Sequence, residues 1–238
     1  MYKVMTHKGF NRVAEYIDEI RQQETVDKFF NKLESYGNIV IIGGSIRDIA
    51  INQKKPRDID IIVDTDAIYI DDVFEGMKYS RNRFGGYKAV YNQQEFDVWS
   101  INNNWAFKRN ILDALVENIP KGCFYNLDAT YFNLSTGVGD ADYFNDALFK
   151  KQLDIVLDEE HVYANPFPEI NIIRALVLRK QYDVSFSKKV LSYIRTWIDK
   201  ENDPISELKK AELKHYKTRD VISIEEIQDV IKEYRLYS

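Results

Sequence analysis

Cysteine is nearly absent from this chain. Cys123 is the only one in 238 residues, so no internal disulfide can form, and a reducing compartment is expected. Histidine is almost as scarce: His7, His161 and His215 lie far apart and share no ligand spacing, which argues against a zinc site. No run of about 18 apolar residues occurs, and the opening MYKVMTHKGFNRVAEYIDEI lacks the apolar core of a signal peptide. A cytoplasmic protein with no membrane partner is expected. Basic residues do not dominate either, since 33 Lys and Arg face 38 Asp and Glu for a net charge of -5. That balance excludes a chain coated in nucleic acid and leaves room only for small contacts with RNA or DNA.

What the chain does have is an ordinary globular composition, 45% hydrophobic and 30% charged, with 16 tyrosines and 13 phenylalanines. The aromatic supply suits bulky core packing, with base stacking as the alternative at Tyr125, Tyr131 and Phe132. The length suits one large domain or two small ones. Apolar residues recur at helical spacing from Asn11 to Tyr36, and GNIVII follows as a short buried strand. SIRDIAIN reads as a two-turn helix with Ser45 as its N-cap, DIDIIVD as a second strand, and Ile68 to Met77 as helix-like. GGYKAVYNQQEFDVWSI reads as a hairpin about NQQE. Beyond Phe149 glycine thins out, and INIIRALVLRKQY, KKVLSYIRTWI, ISELKKAELKHY and SIEEIQDVIKEYRL make four helices in succession. The expected outline is an α/β part over residues 1–149 and a helical part over 150–238, without repeats or low-complexity segments.

The most informative stretch is IIGGSIRDIAINQKKPRDIDIIVD, Ile41 to Asp64. A strand that runs through glycines into a helix N-terminus is a phosphate-binding device, because unpaired amides and the helix dipole face the anion. In one reading it belongs to a dinucleotide site, with Asp64 about twenty residues past Gly44 as the ribose acid. The third glycine of that motif is missing, and a central parallel strand should not begin with two aspartates. In the other reading the DID pair is the point. Residues i and i+2 of a strand project from one face about 7 Å apart, so Asp58 and Asp60 can share Mg2+ ions while Ile59 and Ile61 anchor the opposite face. Asp97 in EFDVWSI supplies a third carboxylate, with Phe96 and Val98 turned to the core. The alternatives are a plain tight turn at Gly43 and Gly44, a solvated strand end at Asp58 and Asp60, and a solvent-facing hairpin position at Asp97.

GGSIRD, RDIDIIVD and Asp97 together resemble the DNA polymerase beta nucleotidyltransferase superfamily, and within it the head domain of CCA-adding enzymes and bacterial poly(A) polymerases. The likeness covers about Gly37 to Tyr182 in all, its fainter part running through YNLDATYFNL to NIIRALVLRKQY, which resembles the first helix of the neck. It implies a mixed-sheet nucleotidyltransferase head followed by a small helical neck-like region. It also implies that Gly43, Gly44 and Ser45 hold an NTP triphosphate with Arg47 assisting. Asp58, Asp60 and Asp97 would hold Mg2+ or Mn2+, and Asp97 would prepare the attacking hydroxyl.

The chain departs from that pattern in two places. Where those heads carry an RRDF segment, Gly122, Cys123 and Phe124 stand in GCFYNLDA. Where their neck carries E-D-x-x-R, Ile170 and Asn171 precede Arg174. Base selection is therefore not recognisable, and the length leaves little room for tRNA-gripping domains. The implied activity is metal-dependent transfer of an NMP to a hydroxyl of RNA, protein or a small molecule, in a setting such as a toxin or defence enzyme. A non-catalytic nucleotide-binding or protein-interaction module is the rival. Lys54, Lys55 and Arg57, and Arg81, Arg83 and Lys88, form two basic clusters able to attract phosphate or to remain simply solvated.

Overall fold

The structure is a computed structural model that describes residues 4–81, 85–216 and 221–236. Arg83 of the second basic cluster, and the 217–220 end of the basic ELKKAELKHYKTRD stretch, lie outside the described residues. The chain forms two compact units, Met1–Cys123 with Asp128–Asn145, and Phe124–Leu127 with Asp146–Ser238. No described helix is long and apolar enough to cross a membrane.

The first unit is built on a seven-stranded mixed sheet. Its strands are β1 (Asn38–Ile42), β2 (Asp58–Asp64), β3 (Ser80–Arg81), β4 (Tyr87–Tyr91), β5 (Gln94–Ser100), β6 (Tyr131–Asn133) and β7 (Val138–Asp140), in the order β3-β4-β5-β2-β1-β6-β7. Only β2 and β5 run parallel; every other neighbouring pair is antiparallel. The helices are α1 (His7–Arg21), α2 (Glu24–Glu34), α3 (Gly44–Ala50), α4 (Ala67–Val73), the single turn α5 (Trp105–Lys108) and α6 (Asp142–Lys150), the last of which crosses the boundary between the units.

The period of two expected of strands decides which side chains meet. Ile41 pairs with Ile61, Ile59 with Phe96, and Val98 with Tyr87, so one face of the sheet is apolar throughout. The amphipathic face of α2 covers it, with Phe29 and Phe30 lying 5.3 and 5.8 Å from the Phe96 ring. On the other face Val40, Ile62 and Tyr131 pack under Ile101, Ala106, Phe107 and Ile119. That cover stops short of the start of β2, where Asp58 and Asp60 stay half-buried. Tyr125, Tyr131 and Phe132, the alternative stacking residues, are 0%, 8% and 3% exposed and belong to the core.

The second unit holds β8 (Gln152–Leu153) paired parallel to β9 (Ser185–Phe186), with α7 (Glu159–Val162), α8 (Pro168–Tyr182), α9 (Lys188–Ile198), α10 (Pro204–Tyr216) and α11 (Ile224–Leu236). Its helix ends carry the expected local chemistry. Ser187 caps α9 by accepting from the Val190 amide at 3.2 Å. At α11, Ser223 and Glu226 form a reciprocal capping box, with bonds of 2.7 and 3.1 Å. Buried Glu212 accepts the Val221 and Ile222 amides at 2.8 and 2.6 Å, which ties α10 to the approach to α11.

Candidate active site

The glycine turn sets the position of everything else. β1 ends at Ile42, and Gly43 then adopts φ 66° and ψ -134°, a conformation strained for any residue with a Cβ. Space is not the constraint, because a Cβ there would meet only the Asp128 carbonyl oxygen, at 3.9 Å. The Gly43 amide donates to the Thr130 carbonyl at 3.1 Å, and the Thr130 hydroxyl donates to the Gly43 carbonyl at 3.3 Å. The turn is thus pinned to the residue before β6 and leads straight into α3, whose N-terminus carries no side-chain cap.

Ser45 is not the N-cap that its type and place suggest. Strand runs directly into helix, so the cap position falls on Gly43, and Ser45 is the second residue of α3. Its buried hydroxyl donates to the Ile42 carbonyl at 3.1 Å. Arg47 is buried on the next turn and forms an ion pair with Asp128.

The aspartates arrive at the same end of the sheet. Ile42 pairs with Asp60, so the glycine turn leaves the sheet beside the start of β2. In the parallel ladder Asp60 pairs with Asp97 and Asp58 with Glu95, which puts all four acids on one face. Asp97 is 8% exposed, while its neighbours Phe96 and Val98 lie in the core on the opposite face. The sequence-based reading of this strand pair is therefore met in its alternation.

Two cations already answer these acids. Arg57 donates to Asp58 Oδ2 at 2.7 and 3.1 Å. Lys88, opposite Asp97 on β4, donates to Glu95 Oε2 at 2.7 Å and lies 3.2 Å from Asp97 Oδ2. Burial works to lower the Lys88 pKa, but the hydrogen bond to Glu95 and the charge of Asp97 outweigh it and leave the ammonium raised. The hard carboxylate oxygens suit Mg2+ or Mn2+ in chemistry, and the strand register gathers their backbones. Among the described residues, however, no three acidic, histidine or cysteine side chains form a group able to hold a metal ion as they stand.

Sequence reasoning misses Glu95 and Asp128, and reads Lys88 only as one of a basic cluster rather than as the partner of Asp97. A two-residue turn at Asn92 and Gln93, both with positive φ (46° and 63°), sets Tyr91 opposite Gln94 and hence Lys88 opposite Asp97. The signal was available once the turn was placed, although neither turn residue is glycine. The basic clusters mostly serve structure. Arg81 bonds Asp71 at 2.8 Å and lies over the Tyr87 ring at 3.6 Å, and Lys54 pairs with Asp48 at 3.2 Å.

No protein-family model matches the sequence, and no curated protein matches it. Solved structures do match in fold. A CCA-adding enzyme in complex with ATP aligns at a TM-score of 0.61 with 13% identity, over 92% of this chain and 54% of that one. A tRNA nucleotidyltransferase complexed with a primer tRNA and an incoming ATP analogue gives 0.57 and 16%, over 84% and 58%. The Thermotoga maritima CCA-adding enzyme complexed with tRNA gives 0.58 and 12%, over 87% and 48%. The chain shares the fold of these CCA-adding and tRNA nucleotidyltransferase structures. This chain spans about half the length of those structures.

The sheet topology excludes the dinucleotide reading of the opening stretch. β1 and β2, joined through α3, are antiparallel, so they do not form the parallel βαβ unit that such sites require. The structure also shows what stands at the departures from the family pattern. Ile170 is buried in α8, and the Asn171 amide donates to Asn165 Oδ1 at 3.0 Å and to the Tyr193 hydroxyl at 3.2 Å. At the other departure Cys123 points its sulfur at the Ile119 and Asp128 carbonyls, at 3.5 and 3.6 Å. These positions are spent on packing and local hydrogen bonds.

Proposed function

We propose that the chain transfers a nucleoside monophosphate from an NTP to a hydroxyl, with the 3' end of an RNA such as tRNA as the acceptor. The observation that carries this reading is the parallel register of Asp60 with Asp97, beside a glycine turn that opens a helix, on a nucleotidyltransferase fold. The uncapped first turn of α3 binds the triphosphate through the backbone amides of Gly44 and Ser45, with Gly43 as the turn that brings the chain close to it. Arg47 assists through the turn, which it supports from within by pairing with Asp128.

Asp58, Asp60 and Asp97 are the residues that would hold Mg2+ or Mn2+, which when bound supplies Lewis-acid stabilisation of the phosphate charge. The acceptor oxygen bonds to the α-phosphorus as the bond to the β-phosphate oxygen breaks. Pyrophosphate leaves, and Asp97 takes the hydroxyl proton. The replaced base-reading residues leave base choice to other contacts, which suits a toxin or defence enzyme acting on RNA. A second reading, a non-catalytic nucleotide-binding module, draws on the Lys88 and Arg57 ion pairs that already engage Asp97 and Asp58.

The test is to incubate the protein with each labelled NTP, Mg2+ or Mn2+ and total cellular RNA. Label transferred to RNA, and reduced about 100-fold or more in Asp58→Ala and Asp60→Ala, is the expected result. Label on the protein or on a small product would reassign the acceptor. NTP binding without transfer to anything would favour the module.

A further inference from the structure

Lys88 stands where the charge balance of the site is decided. It faces Asp97 across the β4–β5 hairpin, on the same side of the sheet as Asp58, Asp60 and Glu95. Its shorter contact is to Glu95, at 2.7 Å, and its longer one is to Asp97 Oδ2, at 3.2 Å. The Lys88 side chain is 32% exposed and that of Asp97 11%, so water screens the pair only in part. An ammonium on Asp97 and a divalent cation on Asp97 seek the same oxygens, and each repels the other at such range.

Resting on the nucleotidyltransferase reading above, we propose that Lys88 is a positioning residue that sets the site's demand for divalent metal, its ammonium occupying Asp97 until a divalent cation displaces it. Glu95 is what makes displacement feasible. The lysine stem is flexible, and a short swing of Nζ away from Asp97 leaves the ammonium on its nearer partner, with the charge still paired. Asp97 is then able both to join the other acids and to act as a base, two roles that an ammonium on its oxygen opposes.

The experiment measures Mn2+ binding to the full chain by calorimetry and by the free-ion electron paramagnetic resonance signal. It compares wild type, Lys88→Met, Lys88→Gln, Asp97→Asn, the Lys88→Met/Asp97→Asn double variant and Asp60→Asn, each shown to be folded by circular dichroism. Lys88→Met and Lys88→Gln are expected to bind Mn2+ at least about 10-fold more tightly than wild type, whereas in the Asp97→Asn background the gain shrinks to less than about 3-fold. An equal gain in both backgrounds would mean that Lys88 acts only as a distant charge, and no gain would mean that it does not compete at all. Either would overturn the proposal while leaving the site intact, provided Asp60→Asn weakens binding. If none of the proteins binds Mn2+, the site reading fails and the proposal fails with it.

Discussion

At the scale of single residues, Gly43 and Asp97 are constrained for different reasons. Gly43 is held by its backbone angles, with open space around its Cα. Gly43→Ala should therefore cost about 1–3 kcal/mol of stability through strain alone, read as a lower urea midpoint with an unchanged slope. Nucleotide binding should weaken with it, because the turn aims the α3 amides. Asp97 is buried yet acidic, and its salt bridge to Lys88 is what makes that position tolerable. That Asp97 faces away from Phe96 and Val98 was legible from alternation within EFDVWSI. Its partner was not, since Lys88 and Asp97 meet only once the register of the hairpin is fixed. The Arg47–Asp128 pair was hidden for a similar reason, its members being distant in sequence and brought together by the pairing of β1 with β6.

At the scale of elements, β2 and β5 carry the site and the core at once. Asp97 faces the other acids while Phe96, on the opposite side, packs on Phe29 and Phe30. Phe96→Ala should cost about 3–5 kcal/mol, and its thermal midpoint should fall accordingly. Asp97→Asn should cost much less stability while removing the transfer activity, so the two faces of a single strand separate fold from function. The DIDIIVD strand and the helices α8 to α11 were readable because their periods of 2 and 3.6 are sustained and two of the helices open on Ser187 and the Ser223–Glu226 box. The edge strands β3 and β7 and the turns between Ile101 and Asp128 were not readable. They are two or three residues long, too short to show any period.

For the molecule as a whole, the aromatic content sets how it responds to pH. Burial raises the pKa of Tyr16, Tyr91 and Tyr131 in the first unit, and in the second it pushes Tyr193 to about 12. An unfolded tyrosine loses its proton near 10, whereas folded Tyr193 keeps its proton to about 12. Between those values the unfolded state binds fewer protons, so stability falls as pH rises. Raised Lys88 acts in the same direction, since its stabilising charge is present below the ordinary lysine range and is lost as pH rises through its folded value. The protein should hold a flat stability plateau through neutral pH and unfold progressively above about pH 10. Phenolate absorbance at 295 nm should show a late step that is lost in Tyr193→Phe.

The central claim is that Asp58, Asp60 and Asp97 work as one unit in nucleotidyl transfer. It is tested most directly by the transfer rates of the three single alanine variants set beside the Asp58→Ala/Asp60→Ala double variant, all confirmed folded. Groups that act together are strongly non-additive, so each single change should cost nearly as much as the double. Transfer that survives in the double variant at a rate near wild type would contradict the account.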